Sequence, residues 1–396
     1  SVKPTKAEGV ELVLYPSVQL LDGKYSNVAW LQELPDPVSK VVWDNYLAVS
    51  PAMARKEGYK KGDVVEVKAG DVTVKAPVLV QPGLHDDVVA LAVGYGRKAA
   101  GKVGNIGVDA YPLSSFAKGK PVFAGRVVAL KKTSENYLLV STQDHHVMEG
   151  RAIVLETTKS AFEKDPSSGI HKHQIFSIWP QHQYTKHKWA LSVDLNSCTG
   201  CSACVVACQS ENNVPVVGKK YVLEGREMHW IRIDRYFKGT PEAPEVAVMP
   251  LMCQHCENAP CETVCPVLAT VHNDEGLNDM SYNRCVGTRY CANNCPYKVR
   301  RFNWFNYVKK REEPLHMSYN PDVTVRPRGV MEKCTFCVQR IRRGTNIAKD
   351  EKRAFKDGDV KTACQESCPA DAIVFGDLND ANSKVARLFQ EKRTYK

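Results

Sequence analysis

Fifteen cysteines lie between Cys198 and Cys368, and none occurs in the first 197 of the 396 residues. This distribution restricts the fold more than any other feature: one half of the chain has ordinary composition and the other is organised around sulfur. The cysteines form four groups. Cys198, Cys201, Cys204 and Cys208 follow a C-x2-C-x2-C-x3-C pattern. Cys253, Cys256, Cys261 and Cys265 have a longer middle gap. Cys285, Cys291 and Cys295 repeat the first spacing, with Thr288 where the second cysteine would stand. Cys334 and Cys337 are separated in sequence from Cys364 and Cys368. The groups use every cysteine. An odd total argues against a closed disulfide set, and repeated C-x-x-C steps favour metal.

The spacing narrows the metal. C-x2-C-x2-C-x3-C is the run that holds iron–sulfur clusters in bacterial ferredoxins, where the fourth cysteine ligates the other cluster of a pair. The physical reason is reach: three cysteines on a tight loop wrap one face of a cube, and the fourth sits on the following helix. Gly200 is expected to give that loop room. Structural zinc would use four-cysteine sets without needing the x3-C-P ending, which recurs at Cys265-Pro266, Cys295-Pro296 and Cys368-Pro369. Covalent haem would need C-x-x-C-H, which is absent from the sequence.

The formal charge of +10 invites a nucleic-acid reading, but that count treats cysteine as neutral. Fifteen thiolates and the cores of three [4Fe–4S] clusters and one [3Fe–4S] cluster would bring the loaded chain to about +2. No basic run is long enough for a phosphate-tracking arm. No apolar run approaches the roughly 18 residues of a membrane helix; the best are Val88–Val93 and Val246–Met249. The sequence opens on Ser1 without a basic and apolar leader, and is expected to be a piece of a longer polypeptide.

Residues 1–130 read as β-rich. Val64–Lys68 and Val72–Val80 are β-branched runs separated by Gly70-Asp71, with further turn signals at Lys61-Gly62-Asp63 and Gln81-Pro82-Gly83. Ser50–Gly58 predicts one short helix, with Ser50 as N-cap, Pro51 at the first helical position and Gly58 as the stop. Residues 131–187 read as an irregular linker that wraps neighbouring subunits. Its histidines (His145, His146, His171, His173, His182 and His187) match no common ligand spacing.

The stretch from Asn45 to Arg97 resembles the C-terminal dinucleotide-binding barrel of the molybdopterin oxidoreductases. The order of turns fits, and no molybdenum ligand is visible, so a barrel that binds nothing is the preferred reading. Residues 188–376 resemble the four-cluster ferredoxin subunits that serve molybdopterin oxidoreductases and related quinone-linked complexes. That resemblance implies three [4Fe–4S] sites: Cys198, Cys201, Cys204 and Cys368; Cys208, Cys334, Cys337 and Cys364; and Cys253, Cys256, Cys261 and Cys295. It implies a fourth site at Cys265, Cys285 and Cys291, with Thr288 at the vacant corner. A neutral hydroxyl is a poor iron ligand beside thiolate, so this cluster is expected to be [3Fe–4S].

A barrel joined to four clusters in one chain, together with the run from Ser281 to Phe305, resembles the iron–sulfur subunit of alternative complex III, a bacterial quinol oxidoreductase. The resemblance implies an α+β chain, with an N-terminal β-barrel (1–130), a linker (131–187), a double two-cluster ferredoxin-like unit (188–376) and a tail (377–396). It implies electron transfer from quinol towards a cytochrome c, with no catalytic residues and no molybdenum or pterin. The implied partners are a polytopic quinol-binding subunit and multihaem cytochromes c, at the periplasmic face of the cytoplasmic membrane. The rivals are the electron-transfer part of an oxyanion or sulfur-compound reductase, a catalytic pterin enzyme, and a zinc scaffold. Lys298, Arg300, Arg301, Phe302, Trp304, Phe305 and Tyr307 interleave cations with aromatics, which suits either core packing beside the fourth cluster or docking at a membrane interface.

Overall fold

The computed structural model describes residues 9–117, 119–170, 176–307 and 313–395. It divides into two units, each built from more than one stretch of chain.

The first unit comprises residues 1–147, 216–225 and 235–247. Its frame is six strands: β1 (Val10–Pro16), β2 (Leu47–Val49), β3 (Asp63–Ala69), β4 (Val72–Val80), β5 (Val88–Val93) and β6 (Arg126–Asn136). They pair in the order β1-β5-β2-β4-β3-β6, and β6 returns to β1, so the ladder closes. The β1–β5 and β2–β4 contacts are parallel and the others antiparallel. Period-two alternation fills the interior: in β3, Val65, Val67 and Ala69 point inward while Glu66 and Lys68 face outward. Leu12, Leu14, Leu47, Val49, Val78, Val89, Leu91 and Val93 complete that core.

The short helix α1 is Pro51–Glu57. Ser50 Oγ accepts from Met53 N at 3.0 Å, and Gly58 ends the helix at φ +67°, as its cap residues required. Strand β6 runs through the expected boundary at residue 130, and this unit extends to Val147. It also takes in residues 216–225 and 235–247, which the sequence placed in the cysteine-bearing half. The buried Glu33 carboxylate shows why: it accepts from Val217 N at 3.1 Å, Gly218 N at 2.7 Å and Trp43 Nε1 at 3.3 Å. Lys219 pairs with the buried Asp44 at 2.6 Å. Contacts between residues nearly two hundred positions apart leave no local pattern to read.

The second unit comprises residues 148–215, 226–234 and 248–396. Strands β7 (Trp189–Val193) and β10 (Ile373–Asp377) pair antiparallel, from Trp189 opposite Asp377 to Val193 opposite Ile373. A smaller pair is β8 (Thr270–His272) with β9 (Asn278–Met280). The helices are α2 (Ala203–Glu211), α3 (Pro260–Thr263), α4 (Tyr290–Asn293), α5 (Val338–Asp350), α6 (Ala363–Glu366) and α7 (Lys384–Gln390). The stretch expected as a tail carries α7, capped by Ser383, with Val385 buried against Ala190 and Val374. The linker segment holds one short helix, Lys159–Lys164, besides irregular chain.

Candidate functional site

The cysteine groups share one local backbone design. In each, the cysteine at the third motif position lies at the second position of a helix: Cys204 in α2, Cys261 in α3, Cys291 in α4 and Cys364 in α6. The last cysteine of each group follows four residues later, at Cys208, Cys265, Cys295 and Cys368. Left-handed residues recur in register. Gly200 and Ser202 have φ +69° and +65°, and Gly287 and Arg289 have +75° and +63° at the matching places of the third group. Thr288 therefore stands at the loop position that Cys201 holds in the first. The chain turns in the same way three residues after three Cys-Pro steps, at Leu268, Lys298 and Asp371. Each of these non-glycine residues is held where L-residues seldom sit. Gly200 is needed for its φ and because an added Cβ would press on Val248 Cγ1 at 3.0 Å.

No cysteine is joined in a disulfide, and the structure brings them together in groups. Cys198, Cys201, Cys204 and Cys368 line one cavity, walled by Val193, Ile233, Pro250 and Ile373. Burial, then the neighbouring thiols of Cys364, Cys198, Cys201 and Cys368, push the Cys204 thiol well above its ordinary range. Burial, then Cys334, Cys337 and Cys364, do the same to Cys208. Cys256 is pushed up to about 11 by burial and then by Cys253, Cys261 and Cys295. Cys291 is raised by burial, and its charged neighbours include Cys285 and Cys265. Thiols of different groups also act on one another: Cys364 bears on Cys204 and Cys253 on Cys334, while Arg300 bears on both Cys261 and Cys291.

Clustered buried thiols resist ionisation in isolation, so occupancy by a cationic core is the arrangement that relieves them. The all-thiol donor set with donors aimed at sulfur fits iron–sulfur ligation. Ala269 N donates to Cys265 Sγ at 3.2 Å, and Ala372 N to Cys368 Sγ at 3.4 Å, at the same offset. Phe336 N donates to Cys334 Sγ at 3.4 Å and Asn212 Nδ2 to Cys208 Sγ at 3.5 Å. At Cys265 burial works to raise the pKa, but the N–H groups of Val267, Ala269 and Thr270, with Arg300, outweigh it and the thiol is lowered. Among the described residues no three His, Cys, Asp or Glu side chains converge as ligands of a single ion would.

The polar surroundings of the thiols were not legible from cysteine spacing. His255, inside the second loop, is buried; its ring lies 4.1 Å from that of Phe336, inside the fourth loop. Its Nδ1 accepts from Asn278 N at 3.0 Å. Lys333 is buried, with Nζ on the Asn278 and Cys334 carbonyls. The basic–aromatic segment divides: Arg300 is buried, Arg301 pairs with Glu227 at 2.7 Å, and Trp304 and Phe305 are 38% and 41% exposed. Arg289 and Arg226 stack on Trp304 at 4.4 and 4.8 Å. The linker histidines separate. His187 Nδ1 bonds Asp377 at 2.6 Å, His182 stacks on His272 at 4.7 Å, His146 is lowered by burial and Arg235, and His171 and His173 lie outside the described residues.

Two family models, each a 4Fe-4S dicluster domain, match residues 197–269 and 244–313. The iron–sulfur cluster-binding subunit of menaquinone reductase from Nitratidesulfovibrio vulgaris is 42% identical over 53% of this chain and 84% of its own length. The iron–sulfur subunit 1 of an Hdr-like menaquinol oxidoreductase from Archaeoglobus fulgidus is 36% identical over 62% of this chain and 91% of its own. A putative dimethyl sulfoxide reductase iron–sulfur subunit from Halobacterium salinarum is 38% identical over 52% of this chain and 72% of its own. Among the described residues no helix is long and apolar enough to cross a membrane.

Proposed function

The chain belongs to the family of iron–sulfur electron-transfer subunits of quinol-linked and molybdoenzyme-type reductase complexes, and from that premise we propose that it is the four-cluster subunit of a quinol oxidoreductase of the alternative complex III kind. Cys198, Cys201, Cys204 and Cys368 would hold the first [4Fe–4S] cluster. Cys208, Cys334, Cys337 and Cys364 would hold the second, and Cys253, Cys256, Cys261 and Cys295 the third. Cys265, Cys285 and Cys291 would hold a [3Fe–4S] cluster. When bound, the clusters supply one-electron relay sites between quinol and a cytochrome c-type acceptor. The protein holds the thiolates, excludes water from them and aims N–H donors at the sulfurs.

The observation that carries this reading is Thr288, seated by the same left-handed pair that flanks Cys201. One withheld thiolate at an otherwise complete loop makes a three-iron site, and the higher potential that usually accompanies it suits accepting electrons from a quinol. Ahead of it, the closed six-stranded ring is proposed to be a molybdopterin-oxidoreductase-type barrel without its cofactor. The partners would be a polytopic quinol-binding subunit and multihaem cytochromes c, with this chain peripheral at the outer face of the membrane.

The dimethyl sulfoxide reductase subunit among the relatives favours a second reading, the electron-transfer part of a molybdopterin-dependent reductase. Isolation of the intact complex from its native membrane separates the two. Iron with c-type haem and quinol:cytochrome c activity is the expected result. Stoichiometric molybdenum or tungsten, with reductase activity towards an oxyanion or sulfoxide, would establish the second reading instead.

A further inference from the structure

We propose that Arg300 is a shared positioning cation for two metal sites: one guanidinium that serves both the Cys253/Cys256/Cys261/Cys295 site and the Cys265/Cys285/Cys291 site and raises the reduction potentials of both. The inference rests on the reading that these cysteines hold iron–sulfur clusters.

Arg300 is 7% exposed. Its Nη2 donates to Cys261 Sγ at 3.1 Å and to Asn278 Oδ1 at 3.0 Å; its Nη1 donates to Thr270 Oγ1 at 3.0 Å, with Met280 Sδ at 4.0 Å. The same guanidinium is a charged neighbour of the Cys291 thiol and favours its ionised form. Cys261 and Cys291 belong to different sets, so one fork bonds a ligand of the first and acts electrostatically on a ligand of the second. Asn278 fixes the fork: its Oδ1 accepts from Arg300, its backbone N–H is held by His255, and its Nδ2 reaches Glu262.

The partners of this cation set it apart from other buried or half-buried arginines in the unit. Arg326 pairs with Glu332, and Arg340, beside Cys337 and Cys364, with Glu211 and Glu366 at 2.7 and 2.6 Å. The hydrogen bonds of Arg300 go to neutral oxygens and to sulfur. A buried cation without a carboxylate is costly, and thiolate-bound clusters would supply the missing negative charge. One-electron reduction adds a further negative charge to a cluster, so a fixed cation at hydrogen-bond distance stabilises the reduced form more than the oxidised one. Sharing the fork makes the effect act on two sites and leaves the other two untouched.

The test is a redox titration of the purified full chain in its complex, followed by electron paramagnetic resonance, on wild type, Arg300→Gln and Arg300→Lys. Iron and sulfide are quantified first; a wild type without clusters would overturn the underlying reading rather than this inference. In Arg300→Gln two of the four cluster signals should each become about tenfold harder to reduce, a shift of about 59 mV for a one-electron step, and the other two should hold still. In Arg300→Lys a single ammonium cannot span both sulfurs, so at least one of the same two signals should fall. A loaded Arg300→Gln with all four midpoints unchanged, or with only one moved, overturns the shared role. If Arg300→Gln fails to load, unchanged midpoints in Arg300→Lys overturn it equally.

Discussion

Thr288 concentrates the functional question in one side chain. Its backbone is already that of a ligand position, since Gly287 and Arg289 repeat the left-handed conformations of Gly200 and Ser202. Thr and Cys are close in size, so Thr288→Cys should present a thiolate at the vacant corner with little steric cost, and the residue is exposed. The variant should convert the fourth cluster at least partly to [4Fe–4S], lower its potential and slow turnover while assembly stays normal. Electron paramagnetic resonance of the oxidised protein reads this directly: a [3Fe–4S]1+ signal should be present in wild type and diminished in the variant. An intact, oxidised wild type lacking that signal would remove the three-iron assignment. A different single residue decides part of the first unit. Glu33→Gln leaves Val217 and Gly218 facing a neutral amide in place of a carboxylate, a loss of about 2 kcal/mol for bonds to a charged acceptor. The expected readout is faster hydrogen exchange at those two amides, with the strand amides of β3 and β4 unchanged.

At the scale of elements, the two units rest on different forces. The ring of β1–β6 has a continuous apolar interior, from Leu12 to Val128, and burial of that surface holds it. Many helices that carry the cysteines are only a turn long, as at Pro260–Thr263, Tyr290–Asn293 and Ala363–Glu366. Helices this short are not stable by themselves; thiolate ligation would fix them, so metal binding and folding are coupled. Cys204→Ser should therefore destabilise the second unit and spare the ring. Limited proteolysis distinguishes the outcomes: the expected pattern is cleavage within 188–376 and survival of the ring strands. Protection of 188–376 in a preparation that had lost its clusters would contradict the coupling.

For the whole molecule, loading is a matter of stoichiometry. Four sites with one three-iron member require about fifteen iron and about sixteen sulfide per chain. A fully loaded preparation holding sixteen iron would place a four-iron cluster at Thr288. Zinc in place of iron would turn the unit into a structural scaffold and remove electron transfer from consideration. Thiols of different sets influence one another electrostatically, Cys364 on Cys204 and Cys253 on Cys334.

The iron–sulfur character was legible in the sequence because each cysteine motif is local: its spacing is read without the fold, and the gap at Thr288 is visible for the same reason. The helix at Pro51–Glu57 and the β3–β4 hairpin were equally legible, since Ser50, Pro51, Gly58 and Gly70 act on their immediate neighbours. Tertiary structure decided what depends on long-range approach. It closed six strands into a ring through two parallel contacts, drew residues 216–225 and 235–247 into the first unit, made a packed helix of Lys384–Gln390, and set the buried Arg300 on Cys261. None of these has a sequence period, because the partner groups lie tens to hundreds of residues apart and meet only when the chain has folded.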